Sequence, residues 1–189
     1  LDIVIAKYRF TPETAGVYSG IATVARIVFF VTASTGGVLL AHIKLSNTIH
    51  ENRLFLMKAL AIVGGLGGGT LLAMALFPEF VVGLLVGEKF LSVASLLPVF
   101  ALHMFLVALT NVFISYWLAL RQRVVIIAAI VGVAAVLTLS AFFHDSPRQL
   151  VYAFLGSSAV TLLFLVGSFV FLQPGDRRRT RRRLPASSS

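Results

Sequence analysis

The sequence predicts an all-α polytopic membrane protein, a bundle of transmembrane helices, from three observations. Apolar residues make up 58% of the 189 residues and charged residues only 12%, whereas a soluble domain carries about 25% charged residues. Two blocks, 124–143 and 150–172, contain no charged residue, and about 20 such residues cross a ~30 Å hydrocarbon core as a helix. Neither block alternates polar and apolar residues as a barrel strand would, so the spans are predicted to be helices.

Prolines and polar turns divide the chain into about five full spans and one shorter span. Thr11, Pro12 and Glu13 indicate a helix start, with an N-cap, a proline at the first helical position and an acid in the first turn. Pro78 is predicted to end the third span and Pro98 to bend the start of the fourth. One transmembrane domain, 1–173, is expected to precede a basic disordered tail, 174–189. The predicted spans are 1–9, 12–44, 53–77, 91–120, 124–143 and 149–172.

The first span is expected to be cut off at its beginning. The chain opens on Leu1, Asp2 and a run of apolar residues that is typical of the middle of a helix rather than of its start. The sequence is therefore interpreted as part of a longer protein, and a preceding segment is expected to complete this helix.

The basic residues predict which side of the membrane each loop faces, because loops alternate between sides and the cytoplasmic ones are enriched in Lys and Arg. One set of loops carries eleven basic residues and two acids, and the other carries four of each. The basic set comprises Lys44, Arg53, Lys58, Arg121, Arg123 and the tail arginines at 177–179 and 181–183. We therefore expect a multi-pass protein of the plasma membrane with a cytoplasmic C-terminus.

The arginine-rich tail, from Arg177 to Arg183, accounts for much of the net charge of +9. It could be interpreted as a nucleic-acid patch, but no globular domain and no interleaved aromatic residues accompany it. Arginines directly after a last span are typical of topology signals and of binding to anionic lipids. The tail is therefore expected to bind anionic lipids of the bilayer and no nucleic acid.

Arg26 is the first candidate substrate-binding residue. It lies fourteen residues after Pro12, about 21 Å along the helix, near the bilayer midplane, where an arginine costs at least ~2.5 kcal/mol. Because a guanidinium binds phosphate through two hydrogen bonds, the sequence predicts an anion site beside a water-filled cavity. A structural ion pair with Asp2 is the alternative. The neighbours at helical spacing are mostly small or polar: Ser19, Ala22, Thr23, Phe30, Ala33 and Gly37.

Four further residues are candidates for the same site. Asp2 could be the counter-ion of Arg26 or a carboxylate that couples transport to protons or cations, and Lys7 continues the polar series of the first span. Lys7 could instead extend to the outer interface. His103 and Asn111 share one face of the fourth span with Thr110. They could line the cavity or form hydrogen bonds between helices.

The sequence contains no arrangement typical of an enzyme. Paired carboxylates, a His-x-x-x-His spacing and a Gly-x-Ser-x-Gly elbow are all absent, and there is no cysteine. We therefore expect no enzymatic activity, no cofactor and no metal. Tyr116 and Trp117 are interpreted as interface anchors. Five glycines of the third span are expected to allow close helix packing or local bending: Gly64, Gly65, Gly67, Gly68 and Gly69.

Three stretches, 2–20, 86–98 and 116–123, carry a family resemblance. The first combines an acid, an apolar run and the helix start at Glu13-Thr-Ala-Gly-Val-Tyr; the second is Val86-Gly-Glu-Lys-Phe and the residues up to Pro98; the third is Tyr116-Trp-Leu-Ala-Leu-Arg-Gln-Arg. This order resembles the C-terminal lobe of the multidrug/oligosaccharidyl-lipid/polysaccharide (MOP) exporter superfamily, specifically polysaccharide flippases of the Wzx type.

The resemblance implies twelve helices in two six-helix lobes around a cleft that opens alternately to each side. It implies that the first two helices of this lobe line the cleft, and in this sequence they carry Asp2, Lys7 and Arg26. The expected substrate is a polyprenyl-diphosphate-linked sugar, and the expected partner is an N-terminal lobe without which this chain should not transport. Two alternatives stay open: a cation-coupled multidrug exporter of the same superfamily, and a non-transporting membrane scaffold.

Overall fold

The structure, a computed structural model, describes residues 10–44, 47–143 and 146–172. Within these ranges the chain forms six α-helices and one 3₁₀ helix and contains no β-strand. The fold is therefore the all-α helix bundle predicted from composition. The predicted first span at 1–9 and the basic tail lie outside the described residues. The elements are α1 (Pro12–His42), α2 (Ile49–Leu76), α3 (Pro78–Leu85), the 3₁₀ helix (Glu88–Leu96), α4 (Leu97–Ala119), α5 (Val124–Phe142) and α6 (Pro147–Phe171).

Five helical segments of the described chain are long and apolar enough to cross a membrane. They are α1, α2, α4 with the 3₁₀ helix before it, α5 and α6. The 28 residues of α2 extend about 42 Å, which exceeds a hydrocarbon core of ~30 Å. The chain is accordingly a multi-pass membrane protein.

Side-chain caps fix the start of several helices. Thr11 accepts a hydrogen bond from the backbone N–H of Thr14 and so caps α1 at the predicted position. A capping box places the start of α2 at Ile49, four residues before the predicted start of that span. In this box Thr48 accepts from the N–H of Glu51 at 3.2 Å, and Glu51 accepts from the N–H of Thr48 at 2.7 Å. The pair satisfies two backbone donors that a helix start otherwise leaves unpaired.

The segment between α2 and α4 contains a short α-helix and a 3₁₀ helix. Pro78 begins the short helix α3, and Gly87 then adopts a φ of 102°, a backbone conformation that favours glycine. A nine-residue 3₁₀ helix follows, and α4 begins at Leu97. Pro98 lies in the first turn of α4, where its missing N–H breaks no helical hydrogen bond, and the bend expected there stays a prediction.

Two buried clusters, one at each end of the bundle, show that successive spanning helices alternate in direction. The first joins the N-terminal half of α1 to the end of α2, the starts of α4 and α6, and α3. The second joins the end of α1 to the start of α2, the end of α4, the start of α5 and the end of α6. Consecutive spanning helices are thus antiparallel, and successive loops lie at opposite ends.

We call the end of the bundle formed by the second cluster the basic end. Its described basic residues are Lys44, Arg53, Lys58, Arg121 and Arg123, and its described acid is Glu51. The opposite end carries the basic residues Lys89 and Arg148 and the acids Glu13, Glu79 and Glu88. The charge asymmetry of the sequence therefore coincides with the two ends of the bundle.

Candidate functional site

Arg26 occupies the middle of the longest helix. It is the fifteenth of the 31 residues of α1, so its Cα lies about 21 Å from the start of the helix at 1.5 Å per residue. Its side chain is half-buried. Arg26 thus lies in the middle of a helix long enough to span a membrane, while its depth in the bilayer and its role in substrate binding stay predictions.

An exposed stripe runs along α1 beside Arg26. Its members recur at spacings of seven, four and three residues, which places them on one helix face. All but one are small or polar, and no other part of the described chain comes within 4 Å of a Cβ built on Gly16 or Gly37. We call this surface the α1 stripe; it consists of Gly16, Thr23, Phe30, Ser34, Gly37 and Ala41.

The opposite side of α1 packs into the bundle. Ile21, Ala25 and Val28 have no exposed surface. Ala22 is buried with them, although the sequence placed it on the face of Arg26. Arg26 lies at the edge of the exposed stripe, next to this buried face. The packing fixes the rotation of α1, so the helix cannot turn Arg26 away without exposing its core residues.

Hydroxyl groups on α1 are satisfied by the helix itself. Ser19 Oγ donates to the carbonyl of Ala15 at 2.7 Å, and Thr23 Oγ1 donates to the carbonyl of Ser19 at 2.7 Å. Such bonds to the preceding turn allow hydroxyl side chains to lie inside a membrane. Asp2 and Lys7, the other candidates near Arg26, lie outside the described residues, and their place in the site stays a prediction.

His103 joins α4 to α6. Its Nδ1 lies 2.7 Å from Ser158 Oγ, and its ring centroid lies 5.9 Å from that of Phe154. Since the Ser158 hydroxyl donates to the carbonyl of Phe154 at 2.7 Å, it accepts from His103, which assigns the proton to Nδ1. The hydrogen bond between helices, one of the two roles that the sequence left open, is therefore present.

Asn111 lies at a close approach of α4 to α1. A Cβ built on Gly36 would lie 2.9 Å from Asn111 Nδ2 and 2.8 Å from Ser115 Oγ. Gly36 therefore allows two polar side chains of α4 to approach the backbone of α1. Gly36 was not among the predicted residues, although the Gly36-Gly37 pair inside an apolar helix is a recognisable signal.

The glycines of α2 differ from one another in their surroundings. A Cβ on Gly67 would lie 3.1 Å from the ring of Phe105 and 3.3 Å from the methyl group of Thr32, so close packing occurs there. At Gly64, Gly65, Gly68 and Gly69 no other part of the described chain comes within 4 Å. The helix continues unbroken through all five. The expected close packing thus holds for one glycine within the described residues.

Tyr116 and Trp117 are core residues and not interface anchors, contrary to the sequence interpretation. Their exposed fractions are 0% and 1%. The Tyr116 ring lies 5.6 Å from that of Phe169 at the end of α6. Arg53 Cζ lies 5.4 Å from the same Phe169 ring, a cation–π contact between α2 and α6. The aromatic residues therefore tie together three helices at the basic end.

A second cluster at the basic end surrounds Phe55 and was not foreseen. The His42 ring lies 5.5 Å from the Phe55 ring, and Lys58 Nζ lies 5.9 Å from its centroid. His42 Nδ1 is 2.8 Å from the carbonyl of Val38. His42 is the last residue of α1 and Phe55 is the seventh residue of α2, so no symmetry of position about the turn indicated this contact in the sequence.

Among the described residues, no group of three or more His, Cys, Asp or Glu side chains could hold a metal ion. No family model, curated protein or solved structure matches the chain.

Proposed function

We propose that the protein is a transporter that moves an anionic lipid-linked saccharide across the membrane by alternating access, and that this chain supplies one lobe of it. The observation that carries the proposal is Arg26, which lies at the middle of α1 beside the small and polar α1 stripe. The resemblance of three sequence stretches to polysaccharide flippases of the MOP superfamily agrees with it.

The position of Arg26 is costly, and the cost supports a function. An arginine at the centre of a spanning helix is disfavoured by about 2.5–3.5 kcal/mol on insertion scales. The middle of a 31-residue helix is too deep for the side chain to reach either interface by extending along the helix. An uncharged residue would make α1 more stable in a bilayer, so a charge at this depth marks a candidate binding site for an anion.

A diphosphate suits this environment chemically. The planar guanidinium offers paired donors to phosphate oxygens. On the α1 stripe, Thr23, Ser34 and Gly37 have small side chains, which leave room for a polar head group beside the helix. A polyprenyl tail would stay in the bilayer while the head group moves along the stripe.

The positions of the described acids favour an anionic substrate over a cationic one. Each lies at the beginning of its helix, far from mid-membrane: Glu13, Glu51, Glu79 and Glu88. A cation-coupled drug exporter would need a carboxylate near the depth of Arg26. Asp2, outside the described residues, is the remaining candidate for that role.

The test is flipping of a fluorescent polyprenyl-diphosphate-linked oligosaccharide by the full-length protein in proteoliposomes. We expect Arg26→Gln to lower the flipping rate at least about tenfold, the effect of one lost charge-assisted phosphate contact of ~1.5–3 kcal/mol. Arg148→Gln, which removes an exposed arginine at the start of α6, is the control and should flip at the wild-type rate. Wild-type flipping by correctly inserted Arg26→Gln would exclude the proposed role.

A further inference from the structure

An apolar groove opens between α1 and α2 at the basic end. It has a volume of about 190 Å³. Val38 and Leu39 of α1 and Ala59 and Ile62 of α2 line its apolar part. A larger cleft of about 610 Å³, with Lys44, Asn47 and Glu51 in its lining, adjoins it at His42 and Phe55. The two together form a surface with an apolar slot and a polar mouth.

Two basic side chains from different helices flank the mouth of the groove. His42 of α1 and Lys58 of α2 are both exposed and both lie against the ring of Phe55. Lys44 lines the adjoining cleft. His42 holds its Nδ1 against the carbonyl of Val38, which leaves Nε2 as the ring nitrogen available to a ligand. The mouth therefore combines positive charge with apolar walls.

Glu51 is the acid of this region, and its carboxylate is already engaged. Its Oε2 accepts hydrogen bonds from the N–H of Thr48 at 2.7 Å and from the Thr48 hydroxyl at 3.0 Å. Lys58 follows Glu51 by seven residues, about 10 Å along α2. An anion between His42 and Lys58 is thus separated from the carboxylate, and the local charge is net positive.

The depth of Lys58 matches the head-group boundary of a bilayer. Its Cα lies nine residues after the start of α2, about 13 Å along a helix of ~42 Å. With a hydrocarbon core of ~30 Å centred on α2, the Cα is some 8 Å inside the boundary, and a lysine side chain extends its ammonium group back toward the interface. The ammonium is therefore close to the boundary between the hydrocarbon core and the head groups.

The groove continues toward the membrane centre along glycines. Lys58, Ile62, Gly65 and Gly69 recur at four- and three-residue steps and so share one face of α2. No other part of the described chain comes within 4 Å of a Cβ on either glycine. The face of α2 beyond Ile62 is therefore exposed and carries no side chain at these two positions.

We propose that this surface binds an anionic phospholipid, with its phosphate between His42 and Lys58 and one acyl chain in the groove between α1 and α2. Charge complementarity selects the head group, because a lysine near the surface contributes about 1 kcal/mol of attraction to anionic lipid. The apolar walls of the groove accept the acyl chain, and the exposed glycine face of α2 leaves room for the rest of it. The site depends neither on Arg26 nor on transport.

Native mass spectrometry of the delipidated full-length protein, titrated with short-chain phosphatidylglycerol or phosphatidylcholine, tests the site. We expect wild-type protein to bind phosphatidylglycerol more tightly than phosphatidylcholine. Lys58→Gln should weaken phosphatidylglycerol binding about fivefold and leave phosphatidylcholine binding unchanged. Lys89→Gln, which removes an exposed lysine at the opposite end, is the matched control and should change neither affinity.

A second variant tests the groove separately from the charge. Ile62→Trp fills the slot at a half-exposed position and should weaken the binding of both lipids. Equal affinity of wild-type protein for the two lipids would overturn the proposal. So would an unchanged lipid preference in Lys58→Gln, or unchanged affinity for both lipids in a folded Ile62→Trp protein.

Discussion

His103 Nδ1 and Ser158 Oγ, 2.7 Å apart, form a buried hydrogen bond between α4 and α6. The exposed fractions of the two residues are 8% and 7%. Lipid tails are as apolar as the helix surface, so the hydrophobic effect does not drive helices together inside a membrane. Hydrogen bonds between helices help to specify which helices pack and in which register. This bond therefore helps to fix the register of α4 against α6.

Ser158→Ala should destabilise the bundle by removing the acceptor of His103. Interhelical hydrogen bonds contribute about 0.6 kcal/mol on average and up to ~1.7 kcal/mol in membrane proteins. A double-mutant cycle with His103→Leu, measured by unfolding in mixed detergent micelles, should give a coupling free energy in this range.

Ser168→Ala is the matched control for that cycle. Ser168 also lies in α6, has an exposed fraction of 8%, and donates its hydroxyl to Phe164 of its own helix at 2.8 Å. Its coupling to His103→Leu should be zero within error. A coupling of the same size for Ser158 and Ser168 would contradict the structural role of the His103 bond.

The fold class follows from the low fraction of charged residues and from the long uncharged blocks without alternation, because these indicate spanning helices rather than a soluble domain or a barrel. The start of α1 at Pro12 and that of α5 at Val124 coincide with the predicted boundaries, since caps and turns depend on local residues. The start of α2 at Ile49 was missed, although it also depends on local residues. The Thr48–Glu51 capping box was available in the sequence, but its polar residues were interpreted as a loop.

The contacts between helices could not be predicted in the same way. In a water-soluble helix the apolar stripe identifies the buried face, but a membrane helix is apolar toward both lipid and protein. Ile21 and Ile130 have the same side chain, yet Ile21 is fully buried and Ile130 is exposed to the lipid region. For the same reason Tyr116 could not be distinguished from an interface anchor by its sequence position.

In the candidate site, too, positions along a helix could be predicted and contacts between helices could not. The depth of Arg26 depends only on its distance from a helix start and was predicted. The partners of His103 and Asn111 depend on which helices are neighbours, and the sequence left them open. The groove beside Phe55 also requires knowledge of the register between α1 and α2. Intramembrane charge is thus visible in a sequence, whereas the shape around it is a property of packing.

Gly36→Ala should destabilise the contact between α1 and α4. The new Cβ would lie 2.8 Å from Ser115 Oγ and 2.9 Å from Asn111 Nδ2, closer than van der Waals contact, so one side chain or one helix must shift. Overpacking of this kind costs about 1–3 kcal/mol. Thermal unfolding in detergent, followed by circular dichroism, should show a lower Tm.

Gly37→Ala is the control at the neighbouring position of the same helix. No other part of the described chain lies within 4 Å of its Cβ, and alanine is the better helix former by up to about 1 kcal/mol. We expect an unchanged or slightly raised Tm. If both substitutions lowered the Tm equally, the loss would reflect glycine in α1 generally and not its approach to Asn111.

The basic end should face the cytoplasm, and single cysteines can show it because this chain has no cysteine of its own. Gln122→Cys lies in the turn between α4 and α5 at the basic end, and Glu79→Cys lies at the start of α3 at the opposite end; both positions are exposed. A membrane-impermeant maleimide should label Glu79→Cys in intact cells and Gln122→Cys only after permeabilisation, as the positive-inside rule requires. Ile130→Cys, seven positions into α5 with an exposed fraction of 64%, should react under neither condition because lipid surrounds it and a thiolate does not form there. The reverse labelling pattern of Gln122→Cys and Glu79→Cys would place the basic end outside. Rapid labelling of Ile130→Cys would mean that water, not lipid, contacts α5.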